Sequence, residues 1–296
     1  MEPVSLAAFW LALAGSALGA LLTWAPMLIR IPRPRTQLVT AGAPGAAGIP
    51  EVPGRTPTLL SQLAGPLPAF VLVALTVSLG ARWYTTGHPP LTNMWEFTVA
   101  FAAAVSLFQV SFFRRIGQDL AGVLLQPLVL ILLGIAADFP SRIEPLTPAL
   151  RSGNILVLHV GVMVLAYGAL TISFAAAVLQ LLQASPRRIG RLPDWRRFDD
   201  LAYRSVVVGF PLLALGIALG AYWASTAWGR YWGWDPKETS ALLTWLAYGV
   251  YFHLHGLRRW AGNRSAMVLV VAYGFVLFSY FAVNLWVTGL HSYAGV

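Results

Sequence analysis

The chain has 296 residues, 57% hydrophobic and only 10% charged, with a mean hydropathy of +0.67; a soluble domain carries about 25% charge, so the bilayer is its natural solvent. The net charge of +9 falls in short clusters between long apolar runs, as in membrane-edge loops, and no basic face is broad enough to hold a nucleic acid. With no cysteine, disulfides, thiolate metal sites and thiol redox chemistry by this chain alone are excluded, and any metal must be held by His, carboxylate or Met.

Eight apolar segments are long enough to cross about 30 Å of hydrocarbon. They span 6–29, 66–83, 94–112, 120–137, 153–182, 205–224, 240–257 and 265–287. Met1-Glu2-Pro3 lacks the positive start of a cleavable signal, and the first basic cluster follows the first apolar run. Residues 30–65, rich in proline and containing AGAPGAAG, read as an irregular, partly flexible loop. Residues 184–204 read as an Arg-dense connection. No fixed-period repeat is visible, so neither a solenoid nor an inverted-repeat transporter is expected.

The charges orient the chain. With the N-terminus outside, fifteen of the twenty Lys and Arg residues fall in inner loops and only Arg82, Arg142, Arg151, Arg230 and Lys237 fall outside. The positive-inside bias then holds in every inner loop. The expected fold is an all-α integral membrane bundle of about eight transmembrane helices, with both termini on the extracytoplasmic side. That topology brings Trp228–Lys237, His291 and the start of the fifth segment to one side.

The chemistry concentrates in Trp228-Gly-Arg-Tyr-Trp-Gly-Trp-Asp-Pro-Lys-Glu-Thr239, flanked by Trp223 and Trp245. An interfacial aromatic belt is the plain reading. A belt needs no glycine between its rings, however, whereas a surface for a flat aromatic ligand does, because glycine admits close backbone approach. Pro236 after Asp235 suits a helix start.

Of the histidines, His159 lies near the outer end of the fifth segment and His291 just past the outer end of the eighth. Each alone reads as an interfacial hydrogen-bonding residue. Together beside the aromatic loop they read as an axial pair for haem iron. His253, about 20 Å down the seventh segment by helical rise, is a candidate ligand at a deeper level. His255 points to a different face and lies near Arg258 and Arg259, and His88 sits in an outer loop. Arg230, Lys237 or Arg151 are candidate partners for haem propionates, although rim cations are as common there.

WGRYWGWDPKET resembles the tryptophan-rich signature of membrane haem-handling proteins, and DPKET followed by ALLTWLAYGVYFHLH resembles the CcsA (ResC) branch rather than CcmC or CcmF. GHPPLTNMWEF, HVGVMVLAYGAL and NLWVTGLHSYAG are similar to other segments of that branch; Met94-Trp95-Glu96-Phe97 departs from its leucine-tyrosine-glutamate-serine type of run. The resemblance runs from about residue 87 to the end, and divides the chain into residues 1–65, a first helix and proline-rich cytoplasmic loop, and 66–296, a haem-handling domain. It implies that His159 and His291 ligate haem b on the outer side and His253 ligates it within the membrane. It implies that Trp228, Trp232, Trp234 and Asp235 present the ring, with Arg230 and Lys237 beside it. The implied activity is that of a cytochrome c synthase (haem lyase) subunit that moves haem outward for thioether attachment to the CxxCH of apocytochrome c. The implied partners are CcsB (ResB), which supplies the other transmembrane histidine, and a thiol-reducing thioredoxin-like protein. The implied setting is a bacterial plasma membrane rather than a thylakoid. The alternatives are a haem transporter without synthase activity and a CcmC- or CcmF-like haem handler.

Overall fold

The structure is a computed structural model that describes residues 1–28, 59–116, 118–143, 154–184, 194–257, 260, 262–283, 286, 287 and 289. The described residues are helical almost throughout: α1 Glu2–Leu28, α2 Leu59–Ala64, α3 Leu67–Thr86, α4 Met94–Ile116, α5 Gln118–Ala137, α6 Asn154–Ala184, α7 Trp195–Trp228, α8 Pro236–His255 and α9 Asn263–Leu277. A π-helical turn, Phe278–Ala282, continues α9. Each predicted apolar segment is met by one helix. Six of the helices are long and apolar enough to cross a membrane, including Glu2–Ala25, Asn154–Gln183 and Trp195–Trp228. Within the stretch 30–65, expected to be an irregular loop, Leu59–Ala64 instead form the helix α2, an apolar turn that leads into α3; residues 29–58, and Arg151, lie outside the described residues.

The sixth predicted segment begins about ten residues earlier than its hydropathy suggests. The segment expected over 205–224 begins at Trp195, inside the Arg-rich stretch read as a connection. Its charge hides an amphipathic turn: Phe198, Leu201, Ala202 and Ser205 are buried at helical spacing while Arg196 and Arg204 face outward. Asp194 caps it by accepting from the Arg196 amide at 3.0 Å.

In lipid, apolar burial alone gives little drive for helices to associate, so close packing and internal hydrogen bonds do more of the work. Glycine supplies the closeness between α6 and α7. A Cβ on Gly209, Gly216 or Gly220 would lie 2.6 Å from Leu170, 2.4 Å from Met163 or 2.5 Å from His159 respectively. Those glycines repeat at seven and four residues and form one stripe of α7, on which α6 rests. Gly122 of α5 accepts Thr23 of α1 in the same way, at 2.5 Å.

α8 turns its polar side inward. Ser240, Thr244, Tyr248 and Tyr251 are buried, and His255 is half-buried on the same face. Leu243, Leu246, Val250, His253 and Leu257 are exposed on the opposite side.

A buried ion pair closes one end of the bundle. Arg82 of α3 donates to Glu96 of α4 at 2.9 Å, with both side chains almost wholly buried. The Arg82 guanidinium also donates to the Ser141 carbonyl and lies 4.2 Å from the Trp95 ring centre. Glu96 accepts from the Thr92 amide and hydroxyl, both at 2.7 Å. Asn93 caps α4 by accepting from the Glu96 amide and donates to the Arg142 carbonyl. The α3–α4 loop and the segment after α5 are thus tied to one buried charge pair.

Candidate functional site

A cavity of about 970 Å³, measured to its open mouth, lies at the end of the bundle that carries the tryptophan-rich loop. α6 contributes His159, Met163 and Tyr167; α7 contributes Ile217 and Gly220; the loop contributes Trp232. Lys237, Glu238 and Ala241 come from α8, Phe97 from α4, and Ser279 and Tyr280 from the π-helical turn.

His159 is held from two sides. Its Nδ1 donates to the Gly216 carbonyl at 2.8 Å, which fixes the neutral tautomer with the lone pair on Nε2. Its ring lies parallel to the Trp223 indole, 10° between planes and 6.3 Å between centres. Trp223 is buried and meets Trp228 edge to face at 4.7 Å. The glycine at 220 lets the α7 backbone touch the imidazole.

The loop that follows α7 is strongly shaped. Gly229 ends α7 in the left-handed region, φ +72°. Trp234 also has a positive φ, +57°, unusual for a residue with a large side chain. Trp232 faces the cavity and Trp234 faces out, 68% exposed, with their rings perpendicular at 5.8 Å. The Arg230 side chain folds across Gly233, where a Cβ would lie 2.7 Å from Nε. Asp235 is buried and accepts from the Lys237 amide at 3.1 Å, while Glu238 accepts back from the Gly233 and Asp235 amides. This is a reciprocal capping box at the start of α8. The Asp235 carboxylate therefore anchors the helix start rather than lining the cavity.

Lys237 lies in the first turn of α8, ahead of the apolar stretch that begins at Ser240. Burial lowers its pKa to about 8, against the opposing pull of Asp235. Beneath the cavity, Tyr167 donates to Ser279 at 3.2 Å, Ser240 donates to Ser279 at 3.0 Å, and Thr98 pairs with the Tyr280 hydroxyl at 3.0 Å. Buried hydroxyls in this seam are thereby bonded to one another.

The predicted residues divide between several places. His159, Trp232 and Lys237 share the cavity, with Trp228 behind His159. His253 is exposed on the outward face of α8, away from the cavity. His255 approaches Asp199 at 3.3 Å and stacks on Tyr203 at 4.8 Å. The ring of His88 donates to the Pro89 carbonyl at 3.1 Å. His291 lies outside the described residues, but Gly289, two residues earlier, lies against the α8 start, where a Cβ would be 2.6 Å from Asp235 Oδ1. Among the described residues no three His, Asp or Glu side chains converge as a metal cluster.

A family model for the Cytochrome C assembly protein matches residues 89–291. The "Cytochrome c biogenesis protein CcsA" of Prochlorococcus marinus (strain MIT 9303) is 35% identical over 263 residues, covering 77% of this chain and 82% of that protein. The chain belongs to the CcsA family of cytochrome c assembly proteins. The CcsA protein of Chlamydomonas reinhardtii is 36% identical over 231 residues, which span 74% of this chain and 65% of that longer relative. Among solved structures, "Cytochrome c Heme Lyase CcmF" shares the fold, with a TM-score of 0.68, 17% identity, and 95% of this chain laid on 46% of that one.

In this CcsA-family chain, sequence reasoning passed over Glu238, Gly216, Gly220 and the hydroxyls beneath the cavity. Two signals for them were present. Asp235-Pro-Lys-Glu238 has the spacing of a capping box, and Gly209, Gly216 and Gly220 share one helical stripe. The Ser279 and Tyr280 contributions had no such signal, because they depend on a π-helical turn.

Proposed function

We propose that this chain is a multi-pass membrane subunit of a cytochrome c synthase, which holds haem b at the tryptophan-loop end for covalent attachment to apocytochrome c. The observation that carries the reading is the cavity in which His159, its tautomer set by the Gly216 carbonyl, shares walls with Trp232 and Lys237. The donor set suits a haem: an imidazole with an Nε2 lone pair, a flat aromatic wall, and a cation able to meet a propionate. Gly289 beside Asp235 brings the chain to within two residues of His291, the proposed second axial ligand. Trp228 backs His159 through Trp223, Trp234 marks the outward lip, and Asp235 and Arg230 shape the loop rather than grip the ring.

All eight predicted segments are taken to cross the membrane, α5 and α8 included, with the Arg-rich ends in the cytoplasm and both termini outside, in a bacterial plasma membrane. His253 is proposed as an axial ligand of a second, deeper haem. Its place on the exposed stripe of Leu243, Leu246, Val250 and Leu257 suits a site completed by a helix of another subunit, CcsB (ResB).

The residues of this chain act by holding and orienting. His159 and His291 keep the iron ligated, Trp232 fixes the ring plane, and Lys237 fixes the propionate edge. A reduced CxxCH segment, kept so by a thioredoxin-like protein, then meets a positioned partner. Bound haem supplies two vinyl groups; at each, a thiol S–H breaks, an S–C bond forms on one vinyl carbon, and the hydrogen ends on the other.

The test is an absorption spectrum of the purified protein beside His159→Ala and His291→Ala, with co-expression of CcsB and an apocytochrome. A fall in haem content in both variants, the deeper haem excepted, and covalent cytochrome c with the parent alone, is expected. Unchanged haem in both variants removes the site; haem without covalent product reduces the role to haem transport.

A further inference from the structure

The loop between α7 and α8 turns Trp232 inward and Trp234 outward, and its backbone does not hold that shape unaided. Trp234 occupies the left-handed region at φ +57°, which is strained for a residue with a Cβ and persists only where neighbours over-determine it. Gly229 at φ +72° gives freedom at the other end of the loop. One side chain bridges the middle. The same oxygen of Glu238, Oε2, accepts from the Gly233 amide at 2.8 Å and the Asp235 amide at 3.2 Å, the two amides that flank Trp234. Glu238 also forms part of the cavity wall. A fixed loop and a shaped wall thus meet in one carboxylate.

We infer that Glu238 is a positioning residue: by accepting both amides at one oxygen it locks the loop with Trp232 toward the cavity, and this lock is what makes the cavity competent to retain haem. The consequence for haem rests on the function proposed above; the lock itself does not. Because both bonds converge on one oxygen, the role is that of an acceptor and not of a charge. A glutamine at 238 has one carbonyl oxygen and satisfies both amides, whereas an alanine satisfies neither.

The absence of native cysteine makes a clean test available. A nitroxide is attached at Tyr231→Cys, a 64% exposed loop position, in the parent, Glu238→Ala and Glu238→Gln proteins purified with bound haem. In Glu238→Ala the label's motion should become several-fold faster and haem retention should fall about tenfold, from loss of a cap and a second hydrogen bond. In Glu238→Gln both readouts should match the parent. Unchanged label motion in Glu238→Ala overturns the lock. Faster motion with full haem retention overturns its link to the cavity. A glutamine variant that fails like the alanine assigns the effect to charge and overturns the acceptor role. If Glu238→Ala does not fold, Glu238→Met, of similar length but without an acceptor oxygen, takes its place and the same outcomes decide. If the parent itself holds no haem, the functional reading fails, while label motion still judges the lock.

Discussion

Gly220→Ala adds one methyl group to α7 and aims it at the imidazole of His159. The new Cβ would lie 2.5 Å from Cε1, 2.9 Å from Nδ1 and 3.2 Å from Nε2 of that ring. Ordinary carbon contacts begin near 3.5 Å, so the ring must retreat by about 1 Å or the helices must part. The ring is not free to slide, because its Nδ1 is bonded to the Gly216 carbonyl at 2.8 Å and its face lies against Trp223. A retreat of about 1 Å breaks that bond and removes the constraint on the tautomer. Overpacking costs about 1–3 kcal/mol and the lost hydrogen bond about 1 kcal/mol, offset in part by about 1 kcal/mol from the better helix propensity of alanine. The net cost to folding is then about 1–3 kcal/mol, which a folded protein can bear, whereas the effect on ligation should be larger. The expected result is a folded protein whose haem per chain, read from the visible absorption band, falls by about tenfold or more, since ligation depends on the position of Nε2. Gly161→Ala, two residues from His159 on α6 and with nothing within 4 Å of its Cβ, should leave haem content unchanged. Parent-like haem binding in Gly220→Ala, or equal loss in Gly161→Ala, would refute the reasoning.

Arg82→Met should leave the Glu96 carboxylate buried without its cation and destabilise the protein by about 3–5 kcal/mol; the check is a thermal melt in detergent, with Arg82→Met plus Glu96→Gln expected to recover part of the loss. Lys237 bears on pH in two ways. Its folded pKa of about 8 lies below the usual lysine value, so the unfolded chain binds more protons in the interval above it, and this group makes the apo-protein's stability rise as pH increases from about 8 toward about 10.4. Haem affinity should run the opposite way, falling as the ammonium is lost through pH 8, and Lys237→Met should flatten both slopes in melts and titrations. The two histidines of α8 should separate cleanly: in the isolated chain, His253→Ala should change stability by less than about 0.5 kcal/mol, as for an exposed site, whereas His255→Ala should cost about 1 kcal/mol through the lost Asp199 contact.

Much of the helix order was legible because each apolar segment is long and bounded by proline, glycine or arginine. The start of α7 was not, because Arg196, Arg197 and Arg204 outweigh Phe198 and Leu201 in any average while the burial pattern depends only on spacing. Hydropathy likewise says that α8 is apolar but not that Ser240, Thr244 and its two tyrosines face inward, since in a membrane the polar side seeks the protein interior. At the site, the tryptophan-rich loop and His159 stood out by composition, and Lys237 by its place directly after that loop. What could not be read was which indole points where. Trp232 and Trp234 differ by two positions, and their opposite directions follow from a backbone angle that Glu238 maintains.

The π-helical turn at Phe278–Ala282 has one more consequence. Such a turn amounts to a single surplus residue in an otherwise regular spiral, and it is why Ser279 and its immediate neighbour Tyr280 both border the same void. Deleting one residue there would rewind the spiral and swing everything downstream by about 100°. Gly289, which rests against Asp235, would then lie on another heading and lose that contact. One surplus residue in the spiral thus decides whether Gly289 meets the start of α8 at all.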